Sequence, residues 1–278
     1  MHDHPNILLA TDLSARSDRP FDRAASLARE LGGSITLVHV LEPGAAPRGP
    51  AGMDELRATI LEDLPDAGVP IHLLIERGSA PSLIAEAADR EGSDLIVVGA
   101  ARYNNITDFF LGTAVDYLVR HAHVPVLVVK RRAAHAYRDI LIATDFSACA
   151  LEATRVAAEI FPHARLNLVH AYRGAYESRL NPDEVRAEAH AEAERELADF
   201  VSSPELAAAR PRLHTQLEVG PLASVILARL RAQPIDLLVL GTHGRSPIVH
   251  AALGSRASDL LESMPCDVLM VRERAREG

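Results

Sequence analysis

Short apolar runs punctuate this chain: "NILLA", "SITLVHV", "PIHLLIE", "DLIVVG" and "PVLVVK" in the first half. Continuous apolar runs of that length predict strands buried on both faces. Between them the apolar positions spread out at helical spacing. Phe21, Ala25, Ala28 and Leu31 recur this way, with Pro20 suited to a first turn and Gly32–Gly33 to an exit. "AGMDELRATILEDL", "APSLIAEAADREG" and the stretch after Gly112 read as further helices. Strand and helix alternate, which predicts a parallel sheet, and right-handed crossovers make it doubly wound.

The pattern is written twice. "NILLATDLS" (6–14) returns as "DILIATDFS" (139–147), so Asp12 maps onto Asp145. "LVHV" returns as "LVHA", and "LGTAVDYLVRHAHVPVLVV" as "LGSRASDLLESMPCDVLMV". Two copies of that length suit two domains, 1–132 and 137–274, and are too few for a solenoid. A short basic connector, "KRRAAHAYR" (130–138), joins them. The second copy is longer between positions 171 and 218, where "NPDEVRAEAHAEAERELADFVSS" predicts a helix. Asn181 suits its cap and Pro182 its first turn, with Asp183 and Glu184 at its positive end. Val185, Ala189, Ala193 and Leu197 form one thin apolar stripe, as on a solvated helix lying against a sheet.

Composition narrows the partners. The net charge is −9 over 278 residues, which disfavours a nucleic-acid backbone. Only 4% of residues are aromatic and none is Trp, which disfavours a base-stacking platform. Cys149 and Cys266 fit neither a CxxC pair nor a disulfide framework. No apolar run approaches the ~18 residues of a membrane span. No signal peptide is visible in "MHDHPNILLA", so the expected compartment is a reducing cytoplasm. "HDH" (2–4) reads as a loose terminus.

Candidate chemistry gathers at "GTHGRSPIVHAALGS" (241–255), directly after the apolar run "IDLLVL". In a doubly wound sheet, ligands sit beyond the carboxyl ends of the strands. Gly241 suits a sharp turn there, and Gly244 lets backbone amides come close to something bulky. Gly254–Ser255 stands at a helix start, where unpaired amides point outward. With the Ser255 hydroxyl, these are all donors, and His243 and Arg245 add positive charge. The natural guest is an anion such as a di- or triphosphate. The alternative is a plain tight turn and a helix cap.

G-x2-G-x9-G-[ST] after an apolar strand resembles the ATP-binding signature of the universal stress protein family. "ATD" after the first strand and the "MPCDVLMVR" ending are also similar to that family. The resemblance covers nearly the whole chain twice, and so suggests a tandem of two such domains. It implies an α/β fold with two doubly wound domains, each a five-stranded parallel sheet in the order 3-2-1-4-5. It further implies that ATP, ADP or AMP, with or without Mg2+, binds chiefly in the second half. Ala143, Thr144, Asp145 and Ala171 would then serve the base and its surroundings. Gly241, His243, Gly244, Arg245, Gly254 and Ser255 would serve ribose and phosphates. Arg256 is larger than the family's usual residue there.

The first half departs from that pattern. In "GAARYNNITDFFLGT" (99–113), Gly99, Gly112 and Thr113 match, but Arg102 replaces the second glycine. A Cβ resists positive φ and blocks close approach. A weaker second site would comprise Asp12, Val40, Gly99, Arg102, Gly112 and Thr113. The expectation is an asymmetric protein. Strand five of each half, an apolar edge, invites pairing. The resemblance makes the tandem a fused pseudo-dimer through those edges, with a further homodimer open.

Other chemistry is missing: there is no G-x4-G-K-[ST] loop and no G-x-S-x-G turn. His39 and His170 occupy matching positions and suit structural roles, with no metal partner nearby in sequence. Cys149, near a helix start, suits a buried inert thiol. Three functional readings stay open. The first is a nucleotide-binding sensor acting on an unknown regulatory protein. The second is a slow ATPase or nucleotide transferase using Asp145. The third is a nucleotide-free scaffold, or a carrier of another small ligand.

Overall fold

The computed structural model describes all residues except 1, 15–16, 42–48, 103–108, 111–112, 173–181, 245–252 and 274–278. The chain divides into two compact units, Met1–Ala136 and Tyr137–Gly278. The connector expected at 130–138 is partly core: Lys130 and Tyr137 are both buried.

In the first unit β1 (Asn6–Thr11), α1 (Asp18–Leu31), β2 (Ser34–Leu41), α2 (Gly49–Asp63), β3 (Ile71–Arg77), α3 (Ala80–Arg90) and β4 (Leu95–Gly99) alternate as the apolar runs predict. A short antiparallel pair follows, β5 (Ala101–Arg102) with β6 (Phe109–Phe110), which the sequence pattern did not suggest. Then come α4 (Thr113–His121) and β7 (Val126–Val129). Strand β1 pairs in parallel with β2 and β4, β2 with β3, and β4 with β7. The order is therefore β3-β2-β1-β4-β7, which is 3-2-1-4-5 when the five strands of this sheet are counted in chain order. Ile7, Leu8 and Leu9 are consecutive and all buried. Successive strand side chains point to opposite faces, so both faces of β1 are covered. Full burial of each such side chain contributes roughly 1.5–3 kcal/mol.

Helix α1 ends where Gly32 takes a left-handed φ of 65°, as a C-cap requires. The terminus before β1 is not loose, because the His2 amide and ring both bond to the Asp94 carboxylate at 3.0 Å.

The second unit repeats the plan with β8 (Asp139–Ala143), α5 (Ala148–Ile160), β9 (Arg165–Tyr172), α6 (Pro182–Ser202), β10 (Leu213–Val219), α7 (Leu222–Ala232), β11 (Leu237–Gly241), α8 (Ser255–Ser263) and β12 (Asp267–Val271). Strand β8 pairs in parallel with β9 and β11, β9 with β10, and β11 with β12. This is again the order 3-2-1-4-5. The added segment contains α6 and two single-turn 3-10 helices, 204–206 and 210–212. Ala193 and Phe200 of α6 are buried, and so is Leu206 beyond it. Arg212 ties the segment to α5 by donating to the carbonyls of Ala158, Phe161 and Ala164 at 2.9–3.0 Å.

Candidate functional site

The order 3-2-1-4-5 changes direction between its first and fourth strands. In the second unit those neighbours are β8 and β11, and the crevice beyond their carboxyl ends is where such sheets take ligands. The chain leaving β8 makes a tight turn there. Thr144 is buried and its hydroxyl accepts from the Phe146 amide at 2.9 Å. That bond turns Phe146 into the left-handed region, φ 61°. Such a φ is costly for a bulky side chain. The Phe146 ring stacks on His170 at 4.2 Å, and the His170 ring bonds through Nδ1–H to the Thr144 carbonyl at 2.8 Å. His170 therefore has the structural role expected of it. Asp145 follows Thr144, and its Oδ1 accepts from the Ser147 amide at 3.1 Å. The Ser147 hydroxyl oxygen caps α5, accepting from the Ala150 amide at 3.2 Å.

The chain leaving β11 meets this turn. A methyl group built on Gly244 would stand 2.5 Å from Asp145 Oδ2. One built on Gly241 would stand 2.9 Å from the sulfur of Cys149, in the first turn of α5. Neither glycine has a positive φ. At both, a Cβ would disturb a close approach and not a left-handed turn. Thr242 between them is 1% exposed. Its amide donates to Val271, its carbonyl accepts from Gly254 at 3.0 Å, and its hydroxyl lies 2.8 Å from His243 Nδ1. Gly254 is thereby fixed as the residue before α8, with no side-chain cap, and Ser255 opens the helix exposed. The amides of that first turn have no acceptor within the helix.

The structure thus brings Asp145, Gly241, Gly244, Gly254 and Ser255 to one end of two adjacent strands, with His243 half-buried among them. Ala143 ends β8, and Ala171 is half-buried near the end of β9. Arg245 lies outside the described residues. Thr242 and Cys149 had no place in the expected site, although both shape its floor. The signal for Thr242 would have been a polar residue directly after an apolar strand; Cys149, inside α5, had none.

The first unit keeps the turn and surrounds its carboxylate differently. The Thr11 hydroxyl accepts from the Leu13 amide at 3.0 Å, Leu13 has φ 59°, and His39 bonds to the Thr11 carbonyl at 3.1 Å. Here, however, Asp12 Oδ1 accepts the Ser14 amide at 3.0 Å and the hydroxyls of Ser14 and Ser17 at 2.7 Å. Partial burial pushes the Asp12 carboxyl up, but the Ser17 and Ser14 bonds outweigh it and hold it below its ordinary value. Val40 and Gly99 are half-buried at strand ends, Arg102 stands in β5, and Thr113 opens α4. Gly112 lies outside the described residues. Among the described residues, no three His, Cys, Asp or Glu side chains cluster as metal ligands would. No described helix is long and apolar enough to cross a membrane.

A sequence model of the universal stress protein family matches residues 4–130 and again 136–272. A putative universal stress protein of Staphylococcus epidermidis is 28% identical over 143 residues, which is 47% of this chain and 86% of that protein. A universal stress protein of Methanocaldococcus jannaschii is 27% identical over 46% of this chain and 83% of its own. A crystal structure of a universal stress protein from Archaeoglobus fulgidus superposes with a TM-score of 0.69. It covers 96% of this chain and 98% of that one at 19% identity, a likeness of fold.

Proposed function

Because the chain belongs to the universal stress protein family, twice over, we propose that it binds an adenine nucleotide, ATP foremost, chiefly in its second domain. The observation that carries this reading is the contact of Gly244 with the Asp145 carboxylate at the crevice between β8 and β11. In this reading the carboxylate is an acceptor at the mouth of the crevice, close to the backbone of the Gly-rich segment. Asp145 and the backbone near Ala171 suit the amine and hydroxyl groups of a nucleoside. The amides of the first turn of α8, from Ser255 on, suit phosphate oxygens, with Mg2+ carried by the phosphates. ADP and AMP would use the same groups with fewer phosphate contacts.

We propose further that nucleotide occupancy orders the segment after Gly244 and shifts a surface read by a regulatory partner. That requires different affinities for two states. The buried thiols Cys149 and Cys266, neither in a disulfide, suit a reducing cytoplasm. Pairing of the strand-five edges into a pseudo-dimer is part of the same proposal, and rests on their apolar sequences.

Native mass spectrometry of the freshly purified full chain tests the binding claim. The expected result is one adenine nucleotide per chain, lost on Gly244→Val. Two nucleotides per chain, or retention by that variant, would overturn it.

A further inference from the structure

The segment that lengthens the second copy forms a groove of about 700 Å³ between α6 and β10. That volume lies in the range of small-molecule sites. Two contacts fix its ends. His190, early in α6, has Nδ1 2.8 Å from the hydroxyl of Tyr172, the last residue of β9. Arg210, just before β10, donates to the Val201 and Ser202 carbonyls at the far end of α6, at 3.1 and 3.0 Å. Helix and strand thus run in opposite directions, with His190 and Glu194 at one end of the groove and Arg210 at the other. Leu197, Val201 and Leu217 line the stretch between them. From Glu194 to Ser202 the helix advances about 12 Å.

The two ends differ in what they still offer. Glu194 is answered by His190, at 3.4 Å. Arg210 is answered by main-chain carbonyls alone, and its Nη1 makes no hydrogen bond among the described residues. A helix C-terminus ordinarily repels anions, but here the guanidinium covers its last carbonyls. Thr215, in the half of β10 nearer Arg210, turns its side chain to the groove, and its hydroxyl has no partner among the described residues. The groove therefore has spare donors beside an apolar floor, while its acid is already engaged. A polyphosphate would find one guanidinium for several charges. A cationic amphiphile would meet Arg210 at one end, and at the other a carboxylate that His190 holds. Glu188, Glu192, Glu196 and Asp199 lie on α6 outside the lining and oppose a second copy of this helix, because like charges repel.

We propose that the groove binds a free medium-chain aliphatic carboxylate, of the size of octanoate or decanoate. Its carboxylate accepts from Arg210 Nη1 and from the Thr215 hydroxyl. Its chain lies on Val201, Leu197 and Leu217 and ends before Glu194. Head and tail are recognised by different groups, so the site selects both charge and length. The inference does not depend on nucleotide binding.

The test titrates the full chain with hexanoate, octanoate, decanoate and dodecanoate as monomers, and follows amide and methyl signals by NMR. Affinity should rise about threefold per methylene, the scale of apolar burial, and level off once the chain reaches Glu194. Shifts should gather at Leu197, Val201, Thr215 and Leu217. Octanol and octylamine keep the chain and lose the carboxylate, and should bind at least about tenfold more weakly than octanoate. Thr215→Val, at an exposed position, should weaken octanoate binding about threefold, and Arg210→Gln about tenfold. Arg210 also holds the end of α6, so Leu217→Ala gives an independent reading. It should flatten the chain-length dependence and keep the preference for octanoate over octanol. No saturable binding at millimolar octanoate would overturn the proposal. So would equal affinity for octanoate, octanol and octylamine, or nuclear Overhauser contacts that put the terminal methyl beside Arg210.

Discussion

Asp12 and Asp145 sit at the same point of the same turn, after the same strand, and differ in what their neighbours do. In the first domain two serine hydroxyls close over the carboxylate. In the second, the corresponding serine turns its hydroxyl oxygen to the helix, and a glycine backbone comes up against the acid instead. The cause is local. Helix α1 begins six residues after Asp12 and leaves Ser17 free to fold back, whereas α5 begins three after Asp145 and takes Ser147 as its cap. The same turn thus presents its carboxylate in two different settings, and the start of the following helix decides between them.

The sharpest break of that comparison is at the glycine. Gly244→Val places a branched side chain on the Asp145 carboxylate, and should weaken nucleotide binding about a hundredfold or more, close to 3 kcal/mol. The reciprocal change, Arg102→Gly, should leave the first domain silent, because Asp12 remains bonded to Ser14 and Ser17. Isothermal titration of both variants reads stoichiometry directly. A second binding event in Arg102→Gly would show that the arginine, and not the closed carboxylate, silences that half.

Next comes the floor of the second site. Gly241→Ala drives a methyl group toward the Cys149 sulfur, and should cost about 2 kcal/mol, as over-packing does. Cys149→Ala removes that sulfur, so the double variant should be more stable than the sum of the two losses. A coupling of about 1 kcal/mol in thermal or denaturant unfolding would support direct contact. Strict additivity would deny it.

Much of this fold is legible in the sequence, because burial on both faces leaves continuous apolar runs and the repeat shows each run twice. Gly32 at a helix exit is equally local. The meeting of Gly244 with Asp145 is not local, because it joins the loops of two strands adjacent only in the folded sheet. The hydroxyls of Ser14, Ser17 and Ser147 are illegible for another reason. Each can serve a carboxylate or a helix end, and the choice depends on where the helix starts. Arg57 of α2 shows the same limit, since nothing in its neighbourhood announces that it donates to the Leu73 carbonyl of β3 at 2.7 Å. The T-D-x-S pattern at 11–14 and 144–147 was the one available sign of the shared left-handed turn.

The acids themselves separate binding from stability. Asp145→Asn should weaken nucleotide binding about tenfold, the size of one charge-assisted bond, with little change in the first domain. Asp12→Asn should leave binding unchanged and remove part of the protein's acid sensitivity. The sign follows from the lowered Asp12 pKa. Its stabilising contribution is fully present above the unfolded value, and is lost as pH falls through the folded one. Unfolding curves from neutral pH downward should therefore show a smaller decline for Asp12→Asn below the ordinary carboxylate range. Identical declines would mean that the serine cage contributes nothing.

The smallest expected effect is the most diagnostic of why the turn persists in both halves. Leu13 and Phe146 share a left-handed φ near 60°, which costs an ordinary residue about 1 kcal/mol. Leu13 is 40% exposed, so Leu13→Gly should relieve strain and lose little packing. A net gain of about 0.5 kcal/mol remains after glycine's extra freedom in the unfolded chain. Phe146 stacks on His170 and lies 5.6 Å from Phe200, so the same relief is outweighed. Phe146→Gly should lose about 2 kcal/mol through its aromatic contacts and buried area. Opposite shifts in melting temperature would mean that the turn is tolerated in the first domain and actively packed in the second. Parallel shifts would mean that α6 adds nothing to this turn, and the difference between the halves would then reduce to the two carboxylates.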